Sequence, residues 1–294
     1  MEASDPRAIR VAPVLLPDDY RLPGPPAADA SPTIQDTYRQ TRFLLRADLK
    51  LFEQAMNVQL QVLRDSHPAR YRTQPLAALA IFWSRAFAAM RDAMALLTSG
   101  SYPSVPHLVR SAAECIGVQG QLRESEMDVY EQWLANALQQ DREHQALDLN
   151  LGRYRAAGIL ASDAQLGEVY RVASDLSMTP FGGSLLLTAP ESNLQRILVA
   201  FADQAFHAGF AELEIGWLLR LCERQLHYLL IADDIFNVTA ESRAAIDDLR
   251  PRIQATLAQP NRCRIETVEA AGERRYLVLN FRRAASGAAK KLIL

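Results

Sequence analysis

The segment from Gln74 to Thr98 constrains the fold more than any other part of this chain. Its sequence, QPLAALAIFWSRAFAAMRDAMALLT, is apolar on nearly every side when it is drawn as an α-helix. A helix of this kind belongs at the centre of a bundle, because none of its faces is suited to water. Apolar residues also recur at helical spacing elsewhere between residues 33 and 258. The sequence therefore predicts an all-α helical bundle.

Periodicity, prolines and glycines predict the other helices and the breaks between them. Pro103 and Pro106 open a helix that continues to about Glu124, and SMTPFGGSLLLTAP, residues 177 to 190, is expected to interrupt helicity. The remaining helices are expected at 33 to about 67, 128–148, 163–176, 193–231 and 240–258.

The two ends of the chain differ from the bundle. Residues 1–32 contain seven prolines, which predicts an extended arm whose Tyr20 lies on the body or on a neighbouring subunit. Near the other end, RCRIETVEA and RRYLVLNFR alternate around AGE, which predicts a C-terminal β-hairpin. Within it, Cys263 and Ile265 are expected to share a face with Leu277, Leu279 and Phe281. The predicted domains are an arm (1–32), a helical bundle (33–258) and a hairpin with a basic tail (259–294).

Composition limits the classes of function. The net charge of −2 argues against binding nucleic acid through global charge. From Arg250 onward there are ten Lys or Arg against three Glu, so the basic tail is a candidate contact for an acidic partner, although a chance excess is the commoner explanation. Three distant cysteines indicate neither a disulfide framework nor a cysteine zinc site, which favours a cytoplasmic protein. We expect neither a signal peptide nor a membrane span, and no cofactor is indicated.

The stretch SYPSVPHLVRSAAE is the first candidate site. His107, Arg110 and Glu114 fall within one polar arc of the predicted helix, opposite an apolar side. Arg110 and Glu114 are also spaced for an i,i+4 ion pair. A solvated face of a packed helix explains this pattern, and a polar site against a neighbouring helix is the alternative.

The stretch ILVAFADQAFHAGFAE is the second candidate site. Asp203 and His207 stand four residues apart in an apolar context, so they are expected to pair on one helix, where the carboxylate would raise the pKa of the imidazole. A purely structural pair is the plainer explanation. If this helix faces the one carrying His107 and Glu114, a metal site of imidazole and carboxylate ligands becomes conceivable, although no HExxH motif supports it.

RLCERQLH, residues 220–227, places Arg220 and His227 two turns apart on one helix face. This arrangement can hold a cation beside an acid–base imidazole, as cleavage of RNA requires. Such a spacing also arises by chance in a chain this rich in arginine, and then the two side chains are simply exposed.

Three stretches, LLTSGSYPSVPHLVRSAAE, VYRVASDLSMTPFGGSLLL and FADQAFHAGF, together resemble bacterial helical-bundle proteins related to the HEPN group (higher eukaryotes and prokaryotes nucleotide-binding). The resemblance covers about residues 75–230 and implicates Arg110, Glu114, Ser174 and His207. The chain departs from the group where Met178 and Thr179 replace a His that often follows the Ser. The Arg–His signature of HEPN ribonucleases is present only as Arg220 to His227, with Leu221 where a polar residue is usual.

The resemblance implies a protein that cleaves or senses RNA or nucleotides, in some members as a partner in toxin–antitoxin or defence systems. In the cleaving version, His207 or His227 is the acid–base, Arg110 or Arg220 steadies phosphate charge, and Glu114 and Asp203 orient these groups. The alternatives are a non-catalytic homo-oligomeric scaffold that contacts a partner through its arm and hairpin, and a helical metal-binding enzyme.

Overall fold

The computed structural model describes residues 17–66, 74–141, 146–149, 156–193, 195–270, 272–282 and 291–293. Most of these residues are helical, which confirms the predicted fold class. The helices are α1 (Pro32–Leu44), α2 (Arg46–Ser66), α3 (Gln74–Thr98), α4 (Val105–Gln121), α5 (Met127–Ala137), α6 (Ala157–Ser162), α7 (Ala164–Ser177), α8 (Phe181–Thr188), α9 (Ala208–Ile231) and α10 (Ala240–Leu257). A 3₁₀ turn (Tyr102–Ser104) precedes α4, and a π-helical turn (Leu122–Glu126) follows it. The strands are β1 (Leu138–Asp141), β2 (Ala146–Leu149), β3 (Arg264–Ala270), β4 (Glu273–Leu279) and β5 (Lys291–Ile293).

Side-chain caps fix where several helices begin. The Ser31 hydroxyl accepts a hydrogen bond from the Ile34 N–H at the start of α1, and Asp163 caps α7 in the same way. Thr239 caps α10. These residue types are preferred at helix N-termini because each supplies an acceptor to an amide that has no partner within the helix. The starts of α7 and α10 therefore agree with the predicted boundaries.

The centre of the bundle is α9, which corrects the expectation that α3 lies there. The helix α9 packs against α2, α3, α4, α7, α10 and β3. By contrast, α3 packs chiefly on α4 and leaves Arg85 and Arg91 exposed, because their charges require water. Several polar residues of α9 find partners inside the protein, as Gln225 does in bonding to Gln119 at 2.9 Å. None of the helices in the described ranges is both long and apolar enough to cross a membrane.

Two predicted helices are shorter than expected. The first divides at Leu45, a buried residue that ends α1 while its N–H still bonds to the Thr41 carbonyl. The helix expected over 128–148 ends at Ala137, and the backbone then pairs β1 with β2 in an antiparallel register. The alternation of Leu147 and Leu149 with Asp148 is a two-residue period, which suits a strand better than a helix.

The double-glycine segment interrupts helicity at residues 178–180 and 189–190, as predicted, but it also contains the short helix α8, which was not predicted. Pro180 is extended and lies just before the first turn of α8. A side chain at Gly183 would lie 3.3 Å from Leu176, so the glycine lets α8 approach α7 closely. The prediction was wrong only in counting Gly182 and Gly183 among the helix breakers, because both lie within α8.

Residues 195–207 are not helical, which corrects the prediction of one helix over 193–231. The Gln204 carbonyl accepts a hydrogen bond from the Thr37 hydroxyl at 2.7 Å, and the Gln204 amide donates to Ser101 at 3.0 Å. Ala202 takes a left-handed conformation with φ of 51°. These long-range bonds hold the chain away from helical geometry, so α9 begins only at Ala208.

The C-terminal hairpin is confirmed, with a different face from the one expected. In the antiparallel register Ile265 lies opposite Val278, so these two side chains share a face. The prediction that placed Ile265 with Leu277 was therefore wrong by one residue. The strand β5 pairs with β4 and was not predicted, and the intervening tail residues 283–290 lie outside the described residues.

The described part of the proline-rich arm, residues 17–31, contains neither helix nor strand. Tyr20 is buried and makes edge-to-face contacts with Phe52 and Phe87. The Asn57 side chain bonds to both the N–H and the carbonyl of Tyr20, at 2.8 and 2.9 Å. The arm thus packs on the body of its own chain at this point, and residues 1–16 lie outside the described residues.

Candidate functional site

The polar arc of α4 faces the bundle after its first turn. His107 is exposed, whereas Arg110 and Glu114 are half-buried. Further along the same face, the side-chain Oε1 of Gln121 accepts a hydrogen bond from the Ile159 N–H of α6 at 3.2 Å. Gly117 also adjoins α6, because a side chain there would lie 3.0 Å from Ala156. The prediction of a solvated helix face therefore holds for His107, but not for the half-buried Arg110 and Glu114.

Arg110 and Ser174 each leave a polar atom unsatisfied. The Nε of Arg110 and the Oγ of Ser174 are enclosed by protein and have no hydrogen-bond partner among the described residues. The helices that carry them, α4 and α7, pack extensively against each other. The ion pair expected between Arg110 and Glu114 is absent from this part of the structure. Arg110, Glu114 and Ser174, which the resemblance implicates, lie on these two helices, but no hydrogen bond or ion pair joins them among the described residues.

His207 is the N-cap of α9 rather than a residue within it. Its Nδ1 accepts a hydrogen bond from the Phe210 N–H at 3.3 Å, and its ring packs against Phe210 and Phe281. Because Nδ1 accepts, the proton of the neutral ring lies on Nε2, which donates to Glu191 Oε1 at 3.1 Å. The geometry selects one tautomer of a neutral imidazole.

The predicted pairing of Asp203 with His207 is wrong. Asp203 is exposed and accepts a hydrogen bond from the Ala205 N–H at 3.0 Å within its own loop. Because residues 203–207 are not helical, a spacing of four residues does not bring the two side chains together. Burial lowers the pKa of His207, and Arg282 adds to this effect, while the bond to Glu191 opposes it.

His207 contacts Tyr102, which lies in the 3₁₀ turn before α4. The His207 N–H lies 3.4 Å from the Tyr102 hydroxyl, and the Tyr102 ring stacks on Phe210. No hydrogen bond or ion pair joins His207 to Arg110 or Glu114 in the described ranges. The two predicted sites are thus neighbours across an aromatic contact, and the structure does not merge them into one catalytic cleft.

Arg220 and His227 belong to different surroundings on α9. Burial lowers the pKa of His227, and the cations Arg224 and Arg250 lower it further. Arg220 instead lines a cavity between α7, α9 and β3. The two residues share a helix face by spacing, but no contact joins them among the residues that the structure describes.

Between Arg220 and His227 lies an ion-pair network that sequence reasoning missed. Arg224 lies 2.7 Å from Asp163 and 3.7 Å from Glu223, and Arg250 bonds to Glu223 at 3.0 Å. Tyr228 donates at 3.2 Å to Asp163 Oδ2, the same oxygen that pairs with Arg224. Asp163 thus joins α7 to α9 as well as capping α7. Its capping position was readable from the sequence, whereas its partners on α9 depend on tertiary packing.

Seven of the exposed large apolar side chains in the described ranges lie between residues 178 and 201. Phe181 and Phe201 are 97% and 92% exposed. A hydrogen bond from the Ala200 N–H to the Thr188 carbonyl, 2.7 Å long, folds the segment after α8 back onto its end. We call the following residues the apolar surface: Met178, Phe181, Leu185, Ile197, Leu198, Val199 and Phe201.

Within the described residues, no group of three or more His, Cys, Asp or Glu side chains is placed to hold a metal ion. His207 and Glu114 are not brought together, so the metal site that their convergence required is not formed there. Comparison of the chain with protein-family models, with curated proteins and with solved structures finds no match.

Proposed function

We propose that this protein is a non-catalytic interaction protein that self-associates through the apolar surface. The observation that carries the proposal is the near-complete exposure of Phe181 and Phe201. Burying one large apolar side chain contributes about 1.5–3 kcal/mol, so a surface with several of them favours association strongly. Concentrated apolar residues of this kind typically mark interaction sites.

A second copy of this chain is the partner that the charges favour. Arg196, Glu191 and Asp203 are exposed beside the apolar residues, so the rim carries both signs of charge. A two-fold interface places each patch against its own copy, and Arg196 of one copy can then face an acidic residue of the other. An apolar centre with a mixed rim is complementary to itself.

Sedimentation velocity over a range of concentrations tests this proposal. We expect the wild type to dimerise and the double variant Phe181→Ser/Phe201→Ser to sediment as a monomer with an unchanged circular dichroism spectrum. Phe43→Ser is the matched control, because Phe43 is 82% exposed on α1, outside the apolar surface. A monomeric wild type, or dissociation by Phe43→Ser to the same extent, would contradict the proposal.

Handling of RNA or nucleotides is the second candidate function. It is supported by the unsatisfied Nε of Arg110 and Oγ of Ser174, which lie on the helices that the HEPN resemblance implicates. In a cleaving version, His207 or His227 acts as acid–base and Arg110 or Arg220 as the phosphate contact, while Asp203 has no orienting role. Purified protein is incubated with assorted RNAs, and His207→Ala and His227→Ala are compared with the wild type. If the RNA stays intact with the wild type and with both variants, the cleaving version is excluded.

We also propose the cytoplasm as the location of the protein. Cys115, Cys222 and Cys263 are buried and are not joined in disulfide bonds. Burial raises the pKa of Cys115 and of Cys222, which keeps both thiols protonated and unreactive. Three buried cysteines without a disulfide bond fit a reducing compartment.

A further inference from the structure

A cavity of about 200 Å³ lies between α7, α9, the end of α10 and β3. Much of its wall is apolar, with Trp217 and Leu213 contributed by α9 and Val169 and Val172 by α7. A dry apolar cavity of roughly 150 Å³ is known to hold benzene in another protein, so this space suits a body the size of one ring. We call it the Arg220 cavity.

Two of the three arginines that line the cavity have carboxylate partners. Arg262 forms a buried ion pair with Asp48, and its Nη2 donates to the Glu212 carbonyl at 3.1 Å. Arg264 lies 2.9 Å from Glu266. These two side chains build the wall, and their charges are already balanced.

Arg220 is the lining arginine that has no ion pair and no hydrogen bond among the described residues. It is half-buried, and burial lowers the pKa of its guanidinium, while Glu223 and Glu168 oppose that effect from more than ion-pair distance. A partly desolvated cation that lacks a partner gains most from a ligand that brings a negative charge.

We propose that the Arg220 cavity binds a small organic monocarboxylate whose body is a single ring or of similar size. The guanidinium of Arg220 holds the carboxylate, and Trp217 with the aliphatic wall encloses the body. Glu168 and Glu266 also line the cavity, so a dianion such as a phosphate ester meets repulsion that a single carboxylate avoids.

Gly216 leaves the space that the ligand body needs. It lies on the same face of α9 as Leu213 and Arg220, and a Cβ there would be 3.4 Å from Arg262 and 3.7 Å from Leu257. An alanine would therefore only touch the wall, whereas the longer side chain of Gly216→Leu fills the cavity. This position provides a variant that blocks the site and leaves Arg220 in place.

Isothermal titration calorimetry with benzoate tests the proposal. We expect benzoate to bind the wild type, and Arg220→Gln to weaken binding by about ten- to a hundredfold, as loss of a charged hydrogen bond does. Arg85→Gln, which removes an exposed arginine of α3, should bind benzoate like the wild type. Benzamide has the same ring without the charge and should bind more weakly than benzoate.

Three results would overturn the proposal: no binding of benzoate to the wild type, equal binding to Arg220→Gln, or inorganic phosphate binding as tightly as benzoate. Gly216→Leu locates the site, because we expect it to lose benzoate binding while it keeps the wild-type circular dichroism spectrum and melting temperature. If this variant misfolds, Val172→Phe fills the same cavity from α7 and replaces it. Undiminished binding to a folded, filled variant would place the ligand elsewhere.

Discussion

The imidazole of His207 joins Glu191 to the first turn of α9. Its Nε2 lies 3.1 Å from Glu191 Oε1, while its Nδ1 receives the N–H of Phe210. The bond from Phe210 requires the neutral ring, because protonation would place a hydrogen on Nδ1 where the cap needs a lone pair, whereas Nε2–H donates to Glu191 in either protonation state. The titratable side chain of His207 thus links the start of α9 to Glu191, which precedes Ile197 and Phe201 of the apolar surface.

The first prediction concerns the pH dependence of stability. Because burial lowers the pKa of folded His207, the unfolded chain binds more protons below its own pKa of about 6.5. The stabilisation is therefore complete above about pH 6.5 and is lost as the pH falls through the folded-state pKa. Urea unfolding at a series of pH values should show this loss.

Two variants separate the contribution of His207 to the pH dependence from that of His227. His227 also has a lowered pKa and contributes in the same direction, so the comparison is made in a His227→Gln background. There, His207→Asn keeps a capping side chain and should abolish the remaining loss on acidification. His207→Ala should cost about 1 kcal/mol at neutral pH through the lost cap. An unchanged loss on acidification in His207→Asn would show that another group titrates.

The second prediction concerns Glu214, which is buried on α9 and has a carboxyl oxygen without a hydrogen-bond partner among the described residues. Burial raises its pKa well above the ordinary value. Its contribution to stability is therefore complete below the unfolded pKa of about 4.3 and is lost as the pH rises toward the folded-state pKa. Glu214→Gln should lose less stability than the wild type between acidic and neutral pH in urea unfolding. Parallel pH curves for the two proteins would contradict this assignment.

The third prediction compares two glycines whose φ angles are nearly equal. Gly100 and Gly272 have φ of 77° and 78°. A Cβ at Gly100 would lie 2.2 Å from the Gln204 carbonyl oxygen, whereas one at Gly272 meets nothing within 4 Å. Gly272→Ala should cost only the left-handed penalty of about 1–2 kcal/mol, and Gly100→Ala should cost at least ~1 kcal/mol more. Equal losses in urea unfolding would mean that the loop around Gln204 moves freely.

The fourth prediction concerns the ion pair of Asp48 with Arg262, which joins α2 to the residues before β3. Both side chains are largely buried, so Asp48→Ala leaves an unpaired guanidinium and should cost about 3–5 kcal/mol. Asp248→Ala removes the partner of Arg252 in an exposed i,i+4 pair and should cost about 0.5 kcal/mol or less. Chemical denaturation of the two variants measures the difference, and similar losses would refute the assigned role of Asp48.

Local chemistry was sufficient to predict the fold class and several elements. The helices α3, α7 and α10 and the hairpin of β3 with β4 lie close to their predicted bounds, because their periodicity and their end signals are encoded within each segment. The sequence also placed Tyr20 on a packed surface. The candidate residues Arg110, Glu114 and Ser174 do lie on two helices that pack together, although the sequence offered no way to find their bonding partners.

Tertiary structure alone decided which helix is central and what His207 contacts. The composition of α3 and α9 is similar, but Arg85 and Arg91 of α3 stay in water, while Arg224 and Glu223 of α9 find partners at the start of α7 and on α10. This difference depends on packing between distant segments. Likewise, the bond from Thr37 to Gln204, 167 residues apart in sequence, keeps residues 195–207 out of the helix that their periodicity favours. A local sequence pattern cannot predict hydrogen bonds between residues so far apart, because they stabilise the chain only after folding has brought both partners together.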